Sequence, residues 1–290
     1  MSLAMHRLKP LLENGISRYD FTDADFAMLC GLVRKHTGIA LSEHKRDLVY
    51  GRLSKRLRAL GLSRFCDYCD LLESNPAQEL EQFTNAITTN LTAFFRENHH
   101  FEYLQKTLAP ALLERYRRNK KLRIWSAGCS TGEEPYSLAM ALRESIPDID
   151  DRDIRILASD LDSNVVATGA EGIYPSQRIE SLSHERKKRW FELGKGSNVG
   201  KVRVSQDLRK LVSFRQLNML QDWPMSGKFD VVFCRNVVIY FDKATQKQLF
   251  ERFANVMQPE STLCIGHSET LHNICDRFEL AGKTIYRKLS

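Results

Sequence analysis

The spacing of apolar positions changes once along this chain. Over about residues 21–90 apolar side chains return every three or four positions. "DFTDADFAMLCGLVRKHTG" opens on an Asp/Thr cap and closes at Gly38. In "SEHKRDLVYGRLSKRLRALG", at about 100° per residue, Val49, Tyr50, Leu53, Leu57 and Leu60 share one arc, and Lys45, Arg52, Lys55, Arg56 and Arg58 occupy the rest. The pattern predicts helices joined by short turns, one of them amphipathic with a basic outer face. From about Lys121 the apolar runs become strand-like: "LRIWSAG", "DIRILASD", "LVSFRQLN", "FDVVFCRN", "STLCIGHS" and "TIYRKL". Helical stretches such as "EEPYSLAMALRES" and "TQKQLFERFANVM" separate several of them, which predicts an α/β domain with a mostly parallel sheet and helices on its faces. The interval between "ASDLD" and "LVSFRQ" is too long for one crossover helix. It holds a basic helix, "SHERKKRWFEL", and a Gly/Ser turn before "KVRVSQDL", so a small β-subdomain inserted at about residues 172–210 is expected.

Composition narrows the class. A chain of 290 residues with 42% hydrophobic content is long enough for two modest globular domains. No apolar run reaches the roughly 18 residues of a membrane span, and Met1 to Lys9 lack the apolar core of a signal peptide, so a cytoplasmic protein is expected. The seven cysteines are odd in number and scattered, as reduced thiols are. Cys66-Asp67-Tyr68-Cys69 has no second pair to complete a zinc site, and no metal is expected. The net charge of +7 is matched by one segment: from Arg34 to Arg64 there are nine basic residues and two acidic ones. Nucleic acid, anionic lipid and acidic protein all suit such a segment, and so does a plain solvated helix face.

The chemistry centres on "RIWSAGCSTGEEPYS", where Gly128 and Gly132 lie between a strand and a helix. Gly128-Cys129-Ser130-Thr131-Gly132 matches the GxSxG elbow of serine hydrolases, with Asp230 and His267 in the right order to complete a triad. Against that reading, everything before Lys121 looks helical, whereas the elbow normally follows several strands. A phosphate-bearing cofactor would meet Glu133 and Glu134 at the helix start, and no lysine follows the second glycine. The two carboxylates suit a cationic, phosphate-free ligand such as S-adenosylmethionine, although they also favour a helix start on their own. Asp160 ends the next strand, where a carboxylate binds ribose hydroxyls in many nucleoside sites. Asn218, Arg235 and Asn236 close later strands, so all of these residues are expected to face the crevice beyond the strand carboxyl ends.

"TTNLTAFFRE", "WSAGCSTGEEPYS", "ASDLD", "FCRNVVIYFD" and "GHSE", in this order, closely resemble the chemotaxis receptor glutamate methyltransferases, the CheR family. The resemblance covers nearly the whole chain. It implies a helical N-terminal domain with its linker at 1–90, and a Rossmann-like class I methyltransferase domain at 91–290 that carries the β-subdomain. It implies S-adenosylmethionine as cofactor, S-adenosylhomocysteine as product, and glutamate side chains in the cytoplasmic domain of chemoreceptors as methyl acceptors. Asn90, Thr92, Arg96, Gly128, Glu134, Asp160, Asn218, Met219, Arg235 and Asn236 are implied to contact the cofactor, and Arg96 and Tyr240 to flank the reacting groups. The basic helix with Lys45, Arg52, Lys55, Arg56 and Arg58 is implied to dock on the receptor, and the β-subdomain to bind a receptor C-terminal peptide in some members. A monomer is expected. Cys129 is a departure from some relatives and is expected to make the site sensitive to thiol reagents. A nucleic-acid methyltransferase is the main competing function, although Asn236-Val237-Val238-Ile239 lacks the prolines of a base-holding turn. A non-catalytic adenosine-binding adaptor is a third reading.

Overall fold

A computed structural model describes residues 12–13, 16–17, 19–115 and 121–289. Met1 to Lys9, read above for targeting signals, lie outside the described residues. These residues divide into two compact units, one running to Thr88 and one from Thr89 onward together with Thr37–Ile39.

The first unit pairs two short strands, β1 (Leu12–Glu13) and β2 (Ile16–Ser17), and then packs four helices: α1 (Asp23–Thr37), α2 (Arg46–Leu60), α3 (Phe65–Ser74) and α4 (Pro76–Ile87). A capping box opens α1: the Asp25 N–H donates to Thr22 Oγ1 (3.1 Å) while the Thr22 N–H donates to Asp25 Oδ2 (2.9 Å). Gly61, at φ 68°, ends α2 in the left-handed conformation that glycine adopts without strain. The inward arc of α2 is as the periodicity predicts, with Val49, Leu53 and Leu57 fully buried. The polar arc is not uniformly solvated. Arg56 forms a two-pronged ion pair with Glu79 (2.7 and 2.8 Å), and Tyr68 donates to the same carboxylate at 3.0 Å. Glu79 is only 2% exposed. Arg52 donates to the carbonyls of Ile87 and Thr88 (2.7 Å to the latter), which ties α2 to the end of α4. Lys45, Lys55 and Arg58 remain exposed and make no ion pair among the described residues.

The second unit continues through α5 (His99–Tyr103), a π-helical segment at Leu104–Leu108 and α6 (Ala109–Arg115). There follow β3 (Lys121–Ala127), α7 (Glu133–Ser145), β4 (Asp153–Asp160), α8 (Ser163–Glu171) and β5 (Ile173–Pro175). Next come α9 (His184–Trp190), β6 (Phe191–Leu193), β7 (Lys201–Val204), α10 (Gln206–Arg209) and β8 (Val212–Gln216). The chain ends in β9 (Phe229–Cys234), α11 (Lys243–Val256), β10 (Met257–Ile265), β11 (Phe278–Gly282) and β12 (Ile285–Lys288). The seven-stranded sheet runs β11-β12-β10-β9-β3-β4-β8, parallel except at β11 and β12. Strand β11 was not expected from the sequence because only Phe278 of its five residues is buried. Side chains alternate across the sheet: Ile124 and Phe233 join the core on one face, Trp125 and Val232 the core on the other. From β3 the chain proceeds to β4 and β8 on one side, then returns to β9 and β10 on the other. The crevice at that reversal, beyond the carboxyl ends of β3 and β9, is where ligands bind in open α/β sheets. A separate three-stranded antiparallel sheet, β5-β7-β6, lies between β4 and β8 in sequence.

Arg56→Ala leaves the Glu79 carboxylate buried without its cation, and is expected to destabilise the helical unit by about 2 kcal/mol in urea unfolding. Lys55→Ala, one residue away on the solvated face, is expected to stay within about 0.5 kcal/mol. Equal effects would mean that the Arg56–Glu79 pair has no special weight.

Candidate functional site

The turn after β3 is held by its own backbone. The N–H groups of Gly128 and Cys129 both donate to the Ser159 carbonyl (2.8 and 2.9 Å). That of Ser130 donates to Asp160 Oδ2 (2.8 Å), and that of Gly132 to the Cys129 carbonyl (3.1 Å). Both glycines are required. Gly128 (φ 84°) would place a Cβ 2.4 Å from Val237 Cγ2, and Gly132 (φ 98°) one 2.9 Å from Gly169 Cα. A phosphate-binding loop presents free N–H groups to its anion, and here those of Gly128, Cys129, Ser130 and Gly132 are already engaged.

The glutamates at the start of α7 are both neutralised from within. Glu133 is fully buried, ion-paired with Arg178 and hydrogen-bonded by Thr131 Oγ1 (2.6 Å). Glu134 accepts from Ser126 Oγ (2.7 Å) and from Arg235 (2.9 Å). Burial raises the Glu134 carboxyl in spite of these two partners. The expectation of an uncompensated acidic turn is therefore corrected: each carboxylate has its own arginine. The turn therefore differs from a phosphate loop in its four engaged N–H groups, and its two arginines already hold carboxylates.

Arg235, after β9, is the hub. Its side chain is 2% exposed and also reaches Glu97 Oε2 (3.3 Å), while its guanidinium donates to the Arg96 carbonyl. Glu97 in turn meets His267 Nδ1 (2.8 Å) and accepts from Asn236 Nδ2 (3.3 Å). Burial alone raises the Glu97 carboxyl, but the His267 hydrogen bond, the Arg235 charge and Asn236 together bring it down to about 2. Four non-glycine residues here hold positive φ: Phe95 (54°), Glu97 (55°), Ser130 (49°) and Asn236 (58°). Such conformations cost on the order of 1–3 kcal/mol each and tend to gather at functional sites.

Asp160 ends β4 at 8% exposure, its Oδ1 accepting from the Asp162 N–H (3.1 Å). Burial raises this carboxyl against the opposing pull of the Asp162 and Ser130 N–H groups. Asn90 is drawn to the same corner, donating to Asp162 Oδ2 (2.7 Å) and accepting from Ser130 Oγ at its carbonyl (2.8 Å). Arg96 donates to the Leu91 carbonyl (2.9 Å) and enters no ion pair among the described residues, because Glu97 beside it is claimed by Arg235 and His267. Tyr240 is half-buried at the end of the 3-10 turn Val238–Tyr240, and its hydroxyl has no hydrogen-bond partner among the described residues. Thr92 is half-buried. Asn218 and Met219 follow β8: Asn218 Oδ1 accepts from the Leu220 N–H (3.0 Å), and the Met219 carbonyl accepts from Trp223 and Arg252. Lys45, Arg52, Lys55, Arg56 and Arg58 belong to the other unit.

The hydrolase triad is not assembled. Ser130 Oγ donates to Asn90, His267 meets Glu97, and Asp230 accepts the Arg123 N–H (2.8 Å) near the opposite end of its strand. Cys129 is 1% exposed, and burial pushes its thiol well above the usual range, so the expected sensitivity to thiol reagents is also corrected. Glu97 and Arg178, with Glu269 that accepts the Asn236 N–H (3.0 Å), had no role from the sequence. Glu97 and Glu269 fall inside the quoted motifs "TTNLTAFFRE" and "GHSE", which is the only signal that marked them.

Residues 90–287 match the family model described as CheR methyltransferase, SAM binding domain, and residues 24–88 the model described as CheR methyltransferase, all-alpha domain. Similar curated proteins include chemotaxis protein methyltransferase 2 of Pseudomonas aeruginosa, 45% identical over 94% of this chain and 95% of its own. The chemotaxis protein methyltransferase of Salmonella typhimurium is 44% identical over 93% of this chain and 91% of its own, and that of Escherichia coli 43% identical over 95% and 94%.

The lowered Glu97 carboxyl sets a pH dependence. A group depressed from the ordinary 4.5 to about 2 contributes stability that is present above 4.5 and lost as pH falls through 2. Urea unfolding between those limits is expected to show a shallower acid decline for Glu97→Gln than for the unaltered protein, and parallel declines would place the Glu97 titration elsewhere.

Proposed function

The chain belongs to the CheR methyltransferase family, and from that premise we propose that it transfers a methyl group from S-adenosylmethionine to glutamate carboxylates of chemoreceptors, forming methyl esters. The donor set fits this cofactor. Four N–H groups of the glycine turn are already engaged, which disfavours phosphate there. Asp160, at the end of β4, suits ribose hydroxyls, and the adjacent opposite charges of Glu134 and Arg235 suit the ammonium and carboxylate of the methionine moiety. Asn90, Thr92 and Gly128 would enclose it from the turn side, with Asn218, Met219 and Asn236 at the later strand ends. Bound there, S-adenosylmethionine supplies a methyl group activated on a sulfonium.

The observation that carries the reading is Arg96, a half-buried guanidinium without a carboxylate partner among the described residues. A substrate glutamate with a pKa near 4.3 is already ionised at neutral pH and needs no general base. The work of the chain is then orientation and exclusion of water, which in well-aligned cases is worth effective molarities of about 10⁵ M or more. Arg96 holds the incoming carboxylate, and the Tyr240 hydroxyl donates to one oxygen and leaves the other to attack. His267 has no part in proton transfer, being engaged with Glu97.

The helical unit would dock on the receptor through Lys45, Lys55 and Arg58. Arg52 and Arg56 would act within it as struts rather than as contacts. The three-stranded sheet would take a receptor C-terminal peptide: β6 lies at its edge, and Leu193 and Val199 are about three-quarters exposed beside Lys195 and Lys201. Domain limits at about residue 90, with the insert at about 172–210, fit the two family-model matches and the position of this sheet. Among the described residues no helix is long and apolar enough to cross a membrane, and we propose that the protein works in the cytoplasm as a monomer. Nothing favours the nucleic-acid reading.

Incubation with methyl-labelled cofactor and receptor cytoplasmic fragments tests the function: base-labile release of labelled methanol is expected, and its absence would sink the reading. Arg96→Ala is expected to lower turnover by about 100-fold while calorimetric cofactor affinity changes far less, and equal losses would make Arg96 a binding residue only. Charge reversal at Lys55 and Arg58 is expected to raise KM for the fragment by about tenfold with cofactor affinity unchanged, whereas normal kinetics would leave the basic face as a solvated surface.

A further inference from the structure

Glu269 lies beyond β10, three residues after Gly266, and is 6% exposed. Its Oε1 accepts the N–H groups of Val237 (2.9 Å), Val238 (3.0 Å) and Ile239 (3.4 Å). Its Oε2 accepts those of Asn236 (3.0 Å) and Gly266 (2.6 Å). Four consecutive N–H groups of one loop thus converge on a single buried carboxylate. The loop sequence does not ask for this shape: Val237, Val238 and Ile239 are β-branched residues that favour extended backbone, and Asn236 sits at φ 58°. Gly266 makes the room, since a Cβ there would lie 2.5 Å from Asn236 Nδ2 and 2.8 Å from Glu269 Oε2. From the other side Gln246 Nε2 donates to the carbonyls of Val238 and Phe241, both at 2.9 Å. With four N–H groups held by Glu269 and two carbonyls by Gln246, the loop is anchored from both sides. It joins Arg235 and Asn236 at one end to Tyr240 at the other.

We propose that Glu269 is a positioning residue for methyl transfer, whose buried carboxylate fixes the Asn236–Ile239 loop and so sets the place of the Tyr240 hydroxyl. This rests on the function proposed above. Glu269→Gln keeps the shape but removes the charge, and turns an amide NH₂ toward N–H groups that then lack an acceptor. Arg235 is held separately by Glu134 and Glu97, and the Asn236 side chain by Glu97, so cofactor binding is largely spared.

The test is a double-mutant cycle with receptor fragment and labelled cofactor, with cofactor affinity followed by calorimetry. E269Q is expected to lower turnover about tenfold or more while affinity stays within about threefold. In a Tyr240→Phe background the same substitution is expected to cost less than about threefold, because no hydroxyl remains to be misplaced. An equal loss in both backgrounds, or turnover equal to that of the unaltered enzyme, overturns the proposal. Should E269Q fail to fold, E269D, which keeps the charge, enters the same cycle with an intermediate loss expected. Failure of both to fold makes Glu269 a stability residue and also overturns it. Absence of transfer by the unaltered protein overturns the methyl-transfer reading and this proposal with it, whereas transfer that E269Q leaves unchanged overturns this proposal alone.

Discussion

A guanidinium with almost no exposure to solvent organises this site. Arg235 meets Glu134 from the first turn of α7 and Glu97 from the segment before α5, and it also holds the carbonyl of Arg96. Burying three charges costs several kcal/mol of desolvation per ion, so such a cluster contributes little net stability even with good geometry. Its consequence is placement. The planar fork of arginine can satisfy two carboxylates and a carbonyl in different directions, which a lysine ammonium could not do with the same fixed angles. Because Arg235 and His267 claim Glu97, the neighbouring Arg96 enters no ion pair among the described residues, and that state is a product of the hub.

The strained backbone is explained in the same terms. The four positive-φ residues of the site each anchor a hydrogen bond that fixes the unfavourable conformation. Ser130 donates to Asp160, Asn236 to Glu269 and Phe95 to Ser137 Oγ (2.9 Å), while the Glu97 carbonyl accepts from the His100 N–H (3.1 Å). Strain of on the order of 1–3 kcal/mol per residue persists only where surrounding contacts over-determine the chain, and here a buried side chain or a helix start does so in every case. Preorganisation of this kind suits a reaction that needs no proton moved, since rate then depends on how little the reacting groups must be rearranged.

Local signals in the sequence were legible, and long-range pairings were not. The strand runs and the two glycines could be read because period and backbone conformation are properties of a few consecutive residues. Strand β11 escaped because a solvated edge strand with one buried residue has no alternation to detect. Arg52 and Arg56 looked like part of a solvated basic face because a helical wheel shows only which residues face away from the apolar arc. It cannot show that Glu79, 23 positions on, returns to meet Arg56. Glu269 was hidden for the same reason, its four loop partners lying 30 to 33 residues earlier. Cys129 was misjudged because neither exposure nor thiol acidity can be read from a turn sequence.

The acidic start of α7 illustrates how a correct conclusion can rest on the wrong force. From sequence, Glu133 and Glu134 exclude phosphate by repulsion. In the fold each is matched by an arginine, one arriving from the insert and one from the end of β9, and the local charge is close to balanced. What disfavours phosphate is the state of the backbone. A loop that binds phosphate leaves its N–H groups pointing at solvent until the anion arrives, whereas this one has turned four of them onto Ser159, Asp160 and Cys129. Binding an anion there would require breaking those bonds and exposing Asp160, a cost that salt does not screen as it would screen surface repulsion. The hydrogen bonding of the turn thus weighs against phosphate more than its charge does, and the two glutamates serve to hold Arg178 and Arg235, the second of which also reaches Glu97.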